Sequence, residues 1–145
     1  MASSMRIVKL STREFPDLGS VRAFFQSVLP SRTPQGRFFV TADRIARAGG
    51  LAPSDYLVFT FKGRIVFSAR SRTALYPNAY EHRETHSHCF ELEMDTLRET
   101  DVALEDFANR YNAVGRKPFQ VATQGWNRLP ASVQLDDLWA WLRAQ

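Results

Sequence analysis

Apolar positions are densest between Asp55 and Ser71, where Tyr56-Leu57-Val58-Phe59-Thr60-Phe61 and Ile65-Val66-Phe67 with Ala69 flank the pair Lys62-Gly63. Aromatic and β-branched residues favour a pleated surface, and Gly63 tolerates the positive φ of a tight hairpin turn. A hairpin with one solvated face alternates every second residue, and this one hardly does. The pattern therefore predicts a hairpin covered on both faces, the central wall of a closed or strongly curled sheet. Its far end, Ser68-Ala69-Arg70-Ser71-Arg72, turns from apolar wall to hydroxyls and guanidinium groups, and is the first place to look for a site.

The same reading carries along the chain. Arg6–Leu10 has the pattern of a first strand. A helix is expected over Val21–Leu29, capped at Gly19-Ser20, with Val21, Phe24, Phe25, Val28 and Leu29 on one face and Pro30 ending it. Arg37–Val40 reads as a short strand, and Thr41 caps a helix Ala42–Ala48 that stops at Gly49-Gly50. The segment Thr73–His88 is long and polar. Cys89–Leu97 returns to strand pattern, with Phe90, Leu92 and Met94 on one face and Glu91, Glu93 and Asp95 on the solvated other. Asp101 caps a helix Ala103–Val114 closed by Gly115; Phe119–Thr123 reads as a last strand; Ser132 caps a terminal helix with Leu135, Leu138, Trp139 and Leu142 inward. No repeat or long linker divides the chain. The expectation is a single α+β domain, 1–145, with about five largely antiparallel strands and helices between them.

Composition adds little about the fold. At 145 residues and 44% apolar the chain can bury a real core. No apolar run approaches the roughly 20 residues that cross a bilayer, so no membrane is expected. The single cysteine, Cys89, excludes an internal disulfide and fits a reducing cytoplasm. Charge says more. Residues 1–83 carry 13 Lys and Arg against 5 acids, whereas residues 84–145 carry 6 against 10, so the net +4 hides a strongly basic first half. Sixteen of the 19 basic residues are arginine, whose planar fork suits phosphate oxygens and base edges, although a GC-rich genome would give the same bias.

Candidate chemistry is sparse. His82, His86, His88 and Cys89 are zinc-ligand types, but adjacent strand residues point to opposite faces and no second ligand couplet exists, so no metal is expected. Glu91, Glu93 and Asp95 offer carboxylates for general acid–base or magnesium chemistry, yet acids opposite an apolar face are the ordinary solvated side of a strand. No nucleophile elbow, Cys–His motif or phosphate loop occurs, so no enzyme and no cofactor are expected. What remains is basic plus aromatic: Lys62, Arg64, Arg70, Arg72 and Arg83 around the hairpin and the loop after it, Tyr76 and Tyr80 in that loop, and Trp126 beside Asn127 and Arg128. Arginines that neutralise phosphates beside rings that stack on bases are equipment for binding nucleic acid.

The order of elements resembles the PUA-like superfamily and its EVE, YTH and ASCH group. The resembling stretches are Ser54–Phe59, similar to the group's Gly-Asp-x-hydrophobic strand start, and Gly63–Ser71, similar to the strand leading to its pocket. Tyr76-Pro77 before Phe90–Met94, Leu104–Phe107 and the loop at Trp126 complete the likeness, which spans residues 37–130. The resemblance implies a small curled β-barrel with flanking helices, holding a modified base in an aromatic-lined pocket. Small bacterial proteins of this kind that read methylated cytosine in DNA are the most similar. The G-x-K-x-x-E-x-R pattern of ASCH-type amidohydrolases is absent, and only Trp126 lies outside the terminal helix as a tryptophan for a cage.

The expected function is thus a nucleic-acid-binding module, with DNA favoured over RNA, that reads a flipped base, 5-methylcytosine. Trp126 with Tyr76 or Tyr80 would stack on the base, and Ser68, Ser71 or Asn127 would bond its polar edge. Lys62, Arg64, Arg70, Arg72, Arg83 and Arg128 would hold phosphates. The alternatives are an RNA-binding module of the same fold, an enzyme acting on a modified nucleoside or nucleotide, and a protein-interaction module using the hairpin's aromatics.

Overall fold

The computed structural model describes residues 3–40, 50–80, 84–112 and 127–145. The expected helix Ala42–Ala48 and strand Phe119–Thr123 lie outside them. Seven strands form one mixed sheet: β1 (Met5–Lys9), β2 (Arg37–Val40), β3 (Tyr56–Phe61), β4 (Arg64–Ser71), β5 (Tyr76–Pro77), β6 (His88–Ala103) and β7 (Asn127–Leu129). They lie in the order β2-β6-β4-β3-β1-β7, with β5 also on β6. All neighbours are antiparallel except β1 and β3. Among the described residues three helices flank the sheet. The first, α1, runs as Leu18–Ala23, a π-helical turn Phe24–Val28 and a last turn Leu29–Ser31. The others are α2 (Leu104–Asn112) and α3 (Val133–Arg143). The domain is α+β with a curled, largely antiparallel sheet. Among the described residues no helix is long and apolar enough to cross a membrane.

The β3–β4 hairpin is the wall that the pattern predicts. Every residue of β3 is buried, and side chains leave it to both sides. Leu57, Phe59, Phe67 and Ala69 join Val8, Leu10, Phe25, Leu29 and Phe90 under α1. Tyr56, Val58 and Ile65 join Met5, Ile7, Phe107, Leu135, Leu138 and Leu142 under α2 and α3. The turn carries positive φ at both Lys62 (50°) and Gly63 (77°), the geometry that matches the strands' own twist. Register shifts at Phe59/Thr60, Ile65/Phe67 and Ser68/Arg70 bend the sheet.

Several boundaries differ from the pattern, each for a physical reason. Asp17, not Gly19-Ser20, caps α1: its Oδ1 accepts from Ser20 N at 2.8 Å while the Ser20 hydroxyl reaches back. Pro30 does not end α1. The π-helical turn shifts the hydrogen bonding to Leu29 N donating to Phe24 O, and the proline fits into the following turn. The strand expected to stop at Leu97 continues to Ala103, because it stays paired with β4 to the end of the ladder, Val102 opposite Ile65 and Ala103 opposite Arg64. Asp101 is therefore a strand residue rather than a helix cap. Glu91 does not belong to a solvated face. It is 7% exposed and engaged by neighbours described below. Ser132 caps α3 as the pattern requires, its Oγ accepting from Leu135 N at 3.0 Å.

Gly36 fixes where β2 sits. At φ +79° its N–H donates to Leu29 O and its carbonyl accepts from Leu92 N, both at 2.9 Å, so it clips α1 to β6. A Cβ built there lies 2.6 Å from Leu92 O and 3.1 Å from the Met94 side chain. Gly36→Ala is expected to cost at least about 1–3 kcal/mol, from the left-handed backbone alone, with the clash added. Urea denaturation checks this; a midpoint within error of the parent protein's would contradict it.

Candidate functional site

The curl of the sheet makes a cleft. β1 and β2 are separated by β3, β4 and β6 in hydrogen-bond order, yet both line one opening of about 360 Å³. That size falls in the range of small-molecule sites, roughly 300–1,000 Å³. Val8, Leu10, Phe38 and Val40 are its apolar part, and all four belong to or pack against the core under α1. Lys9, Ser11, Arg13, Glu14, Phe39 and His86 make the rest. Local chemistry shapes this mouth. The Ser11 hydroxyl accepts from Arg13 N at 3.0 Å, and Ser11 O accepts from Phe15 N at 3.0 Å, which turns the chain sharply after β1. Phe15 is thereby buried against Phe24, ring centroids 5.3 Å apart, while Arg13 and Glu14 stay exposed at the rim.

The β2 aromatics alternate in role as strand side chains do. Phe38 stacks on Phe90 at 5.4 Å and meets Phe24 and Phe59 edgewise or tilted, which anchors it as floor. Phe39 is half-buried and faces two arginines, with Arg32 Cζ 4.7 Å and Arg37 Cζ 5.3 Å from its ring centroid. Arg37 lies in turn 4.0 Å over the Tyr80 ring. The result is an alternating ladder, Arg32–Phe39–Arg37–Tyr80, beside the cleft. Backbone carbonyls hold it: Arg32 donates to Arg37 O, and Arg37 donates to Thr33 O. Asn78 ties the loop bearing Tyr80 to the segment bearing His86. Its amide donates to His86 O and its N–H to Ser87 O, each at 2.9 Å, while its Oδ1 accepts from Tyr80 N at 2.9 Å.

The residues singled out in the sequence fall into separate groups. Arg72 and Tyr76 meet on Glu91: Tyr76 OH donates to Oε2 at 2.7 Å, and Arg72 forms an ion pair with Oε1. Ser71 is buried and donates to Thr73 O at 2.6 Å. Tyr80 is exposed on the ladder. Ser68 and Arg70 face α3, on the other side of the sheet from the cleft. Arg143 donates to the Ser68 hydroxyl at 3.0 Å, and Arg70 lies 4.8 Å over the Tyr56 ring. Lys62 and Arg64 sit at the hairpin tip, Arg64 paired with Asp101. Asn127 and Arg128 are in β7, opposite Ile7 and Arg6. Arg6 itself is fully buried, its pKa lowered to about 10 by burial and then by the nearby Arg128 charge. Trp126, Arg83 and His82 lie outside the described residues. Among the described residues no group of three His, Cys, Asp or Glu is placed to hold a metal.

Sequence reasoning passed over Lys9, Ser11, Arg13, Arg32, Arg37, Phe38, Phe39 and His86 as a set. They come from four separate stretches and carry no shared motif. The only available signal was Arg37-Phe38-Phe39, a basic residue beside two aromatics in a strand of four.

The chain is similar in structure to the YTH domain of Zygosaccharomyces rouxii MRB1, solved in complex with N6-methyladenosine RNA. The TM-score is 0.59 at 16% identity, over 97% of this chain and 87% of that one. The Pho92 YTH domain in complex with m6A gives 0.59 at 14% identity, over 99% and 85%. The fold is YTH-like. Rpa0253 from Rhodopseudomonas palustris shares it at a TM-score of 0.52 and 12% identity, over 99% and 92%. No family model and no curated protein matches the sequence. Within this YTH-like fold, part of the resemblance read in the sequence is now structural, and it lies with YTH domains.

Glu91 ties β5 and the loop after β4 onto β6. Burial pushes its carboxyl up, but the Tyr76 hydroxyl and the Arg72 guanidinium, with Arg37 opposite in the ladder, outweigh this and leave it below the ordinary 4.5. A carboxyl lowered on folding contributes stability that is full above its unfolded pKa and lost as pH falls through the folded one. Stability is thus expected to drop on acidification below about pH 4.5, and Glu91→Gln to flatten that limb while lowering stability at neutral pH. Urea midpoints at pH 3–7 test this; parallel profiles for the two proteins would remove Glu91 from the acid limb.

Proposed function

We propose that the chain is a non-enzymatic nucleic-acid-binding module that reads a modified base, 5-methylcytosine in DNA, turned out of the stack into the cleft between β1 and β2. The observation that carries this reading is Phe39, an aromatic wall of the cleft held between two arginines. Extruding a base costs a few kcal/mol, and stacking on an aromatic side chain returns about 1–3 kcal/mol. The balance comes from phosphate contacts, for which Lys9 and Arg13 at the mouth are placed. A buried methyl adds about 0.8 kcal/mol, so discrimination requires a close apolar surface, which Val8, Leu10, Phe38 and Val40 offer. Two of the similar structures are described with N6-methyladenosine and so supply the second reading, an RNA reader of that base.

Fluorescence anisotropy with four probes separates the readings: DNA with and without 5-methylcytosine, and RNA with and without N6-methyladenosine. The proposal expects tighter binding to methylated DNA than to its unmethylated match, and affinity that falls steeply with salt. Tighter binding to the methylated RNA alone moves the function to the second reading. No methyl preference on either strand type would end both.

Phe39→Ala is expected to weaken methylated-base binding by about 1–3 kcal/mol while the fold persists, because Phe38 rather than Phe39 anchors β2. Lys9→Ala should weaken methylated and unmethylated probes equally, since phosphate contacts position without specifying. Trp126→Ala tests the cage residue expected from the sequence. Lost methyl preference with an unchanged denaturation midpoint would place it with Phe39, and the reverse outcome would make it core.

A further inference from the structure

A second basic cluster lies on the opposite side of the sheet. Ser68 in β4 stands directly opposite Arg98 in β6, and opposed residues of an antiparallel pair share a face. Arg70 is two residues along β4, on that same face, over the ring of Tyr56. Arg143 arrives from α3 and donates to both the hydroxyl and the carbonyl of Ser68, at 3.0 and 3.2 Å. An aromatic pair supports the group: Tyr56 and Trp139 stack with centroids 4.5 Å apart, with Arg143 5.0 Å over Trp139. The carboxylates of this face are Asp136, which accepts from Tyr56 OH at 2.8 Å, and Glu93, opposite Arg70 in the ladder. Neither forms an ion pair with Arg70, Arg98 or Arg143 among the described residues.

We propose that Arg70, Arg98 and Arg143, gathered around Ser68 between the β4–β6 ladder and α3, form a binding site for a phosphate group. Three guanidinium groups without carboxylate partners repel one another, and two of the three are half-buried, where water screens them least. Burial first, and then Arg98 and Arg70, hold the Arg143 pKa below its ordinary value, in keeping with that repulsion. An oxyanion relieves it, and the guanidinium fork matches the spacing of phosphate oxygens. Packing of Arg70 and Arg143 on rings fixes their planes before any ligand arrives. The site does not depend on the cleft or on what the cleft reads.

Thermal melting at fixed ionic strength tests it, with inorganic phosphate replacing part of the chloride. Phosphate is expected to raise the parent protein's Tm by about 2–4 °C, by mass action on the folded state. Arg98→Gln should melt higher than the parent in chloride alone, since one repulsive charge is gone, and should lose the phosphate increment. Arg110→Gln, which removes a charge beside Trp141 elsewhere on the surface, should keep the increment. An Arg98→Gln protein that keeps it, or that melts lower in chloride, overturns the site. The phosphate's source is read from the salt dependence of oligonucleotide binding. A log–log slope smaller by about 1 in Arg98→Gln assigns the site to a nucleic-acid backbone, and an unchanged slope assigns it to a free phosphate compound.

Discussion

The β3–β4 hairpin has no solvated face, and much of the architecture follows from that. With Leu57, Phe59 and Phe67 pointing one way and Val58 and Ile65 the other, both sides need apolar cover. α1 supplies one layer and α2 with α3 the other. Each buried apolar side chain of this size is worth about 1.5–3 kcal/mol relative to exposure, so neither layer is dispensable. A sheet packed on both faces can offer an opening only where strands end and helices do not reach. Among the described residues the cleft after β1 and beside β2 is such a place, and its apolar part is the edge of the core itself.

Arginine is used structurally throughout. Arg32 and Arg37 are stacked on rings and bonded to carbonyls, Arg72 is committed to Glu91, and Arg64 to Asp101. A planar, delocalised cation can rest on an aromatic face and still donate in its plane, which lysine cannot do. The basic first half of the chain is therefore not one continuous electrostatic surface. Among the described residues it divides into charges spent on neighbours and a smaller number left exposed, among them Lys9 and Arg13 at the cleft.

The YTH-like fold is shared at 12–16% identity. What persists at that level is the fold, the course of the backbone rather than its side chains. Side chains vary independently of the fold, so the proposed function rests on this chain's own Phe39, Lys9 and Arg13 and on binding measurements, rather than on the likeness.

Local chemistry was legible in the sequence wherever the cause is local. The Lys62-Gly63 turn and the Ser132 cap need only neighbouring residues, the demand for cover on both faces shows in the hairpin's own unbroken apolar run, and each stands as read. Pro30 and Asp101 misled because their usual effects were overruled by a π-helical turn and by a ladder that runs on to Ala103. The grouping of polar residues was not legible at all. Ser68, Ser71, Tyr76 and Tyr80 lie within 13 positions, but strand alternation sends Ser68 towards α3, and the Glu91 carboxylate engages Tyr76 and the exposed Arg72. Lys9, Phe39 and His86 meet only because the sheet curls until β1 approaches β2. Periodicity reports which face of its own element a residue occupies. Which faces come to share one opening is set by long-range strand pairing, and that is decided only when the chain is folded.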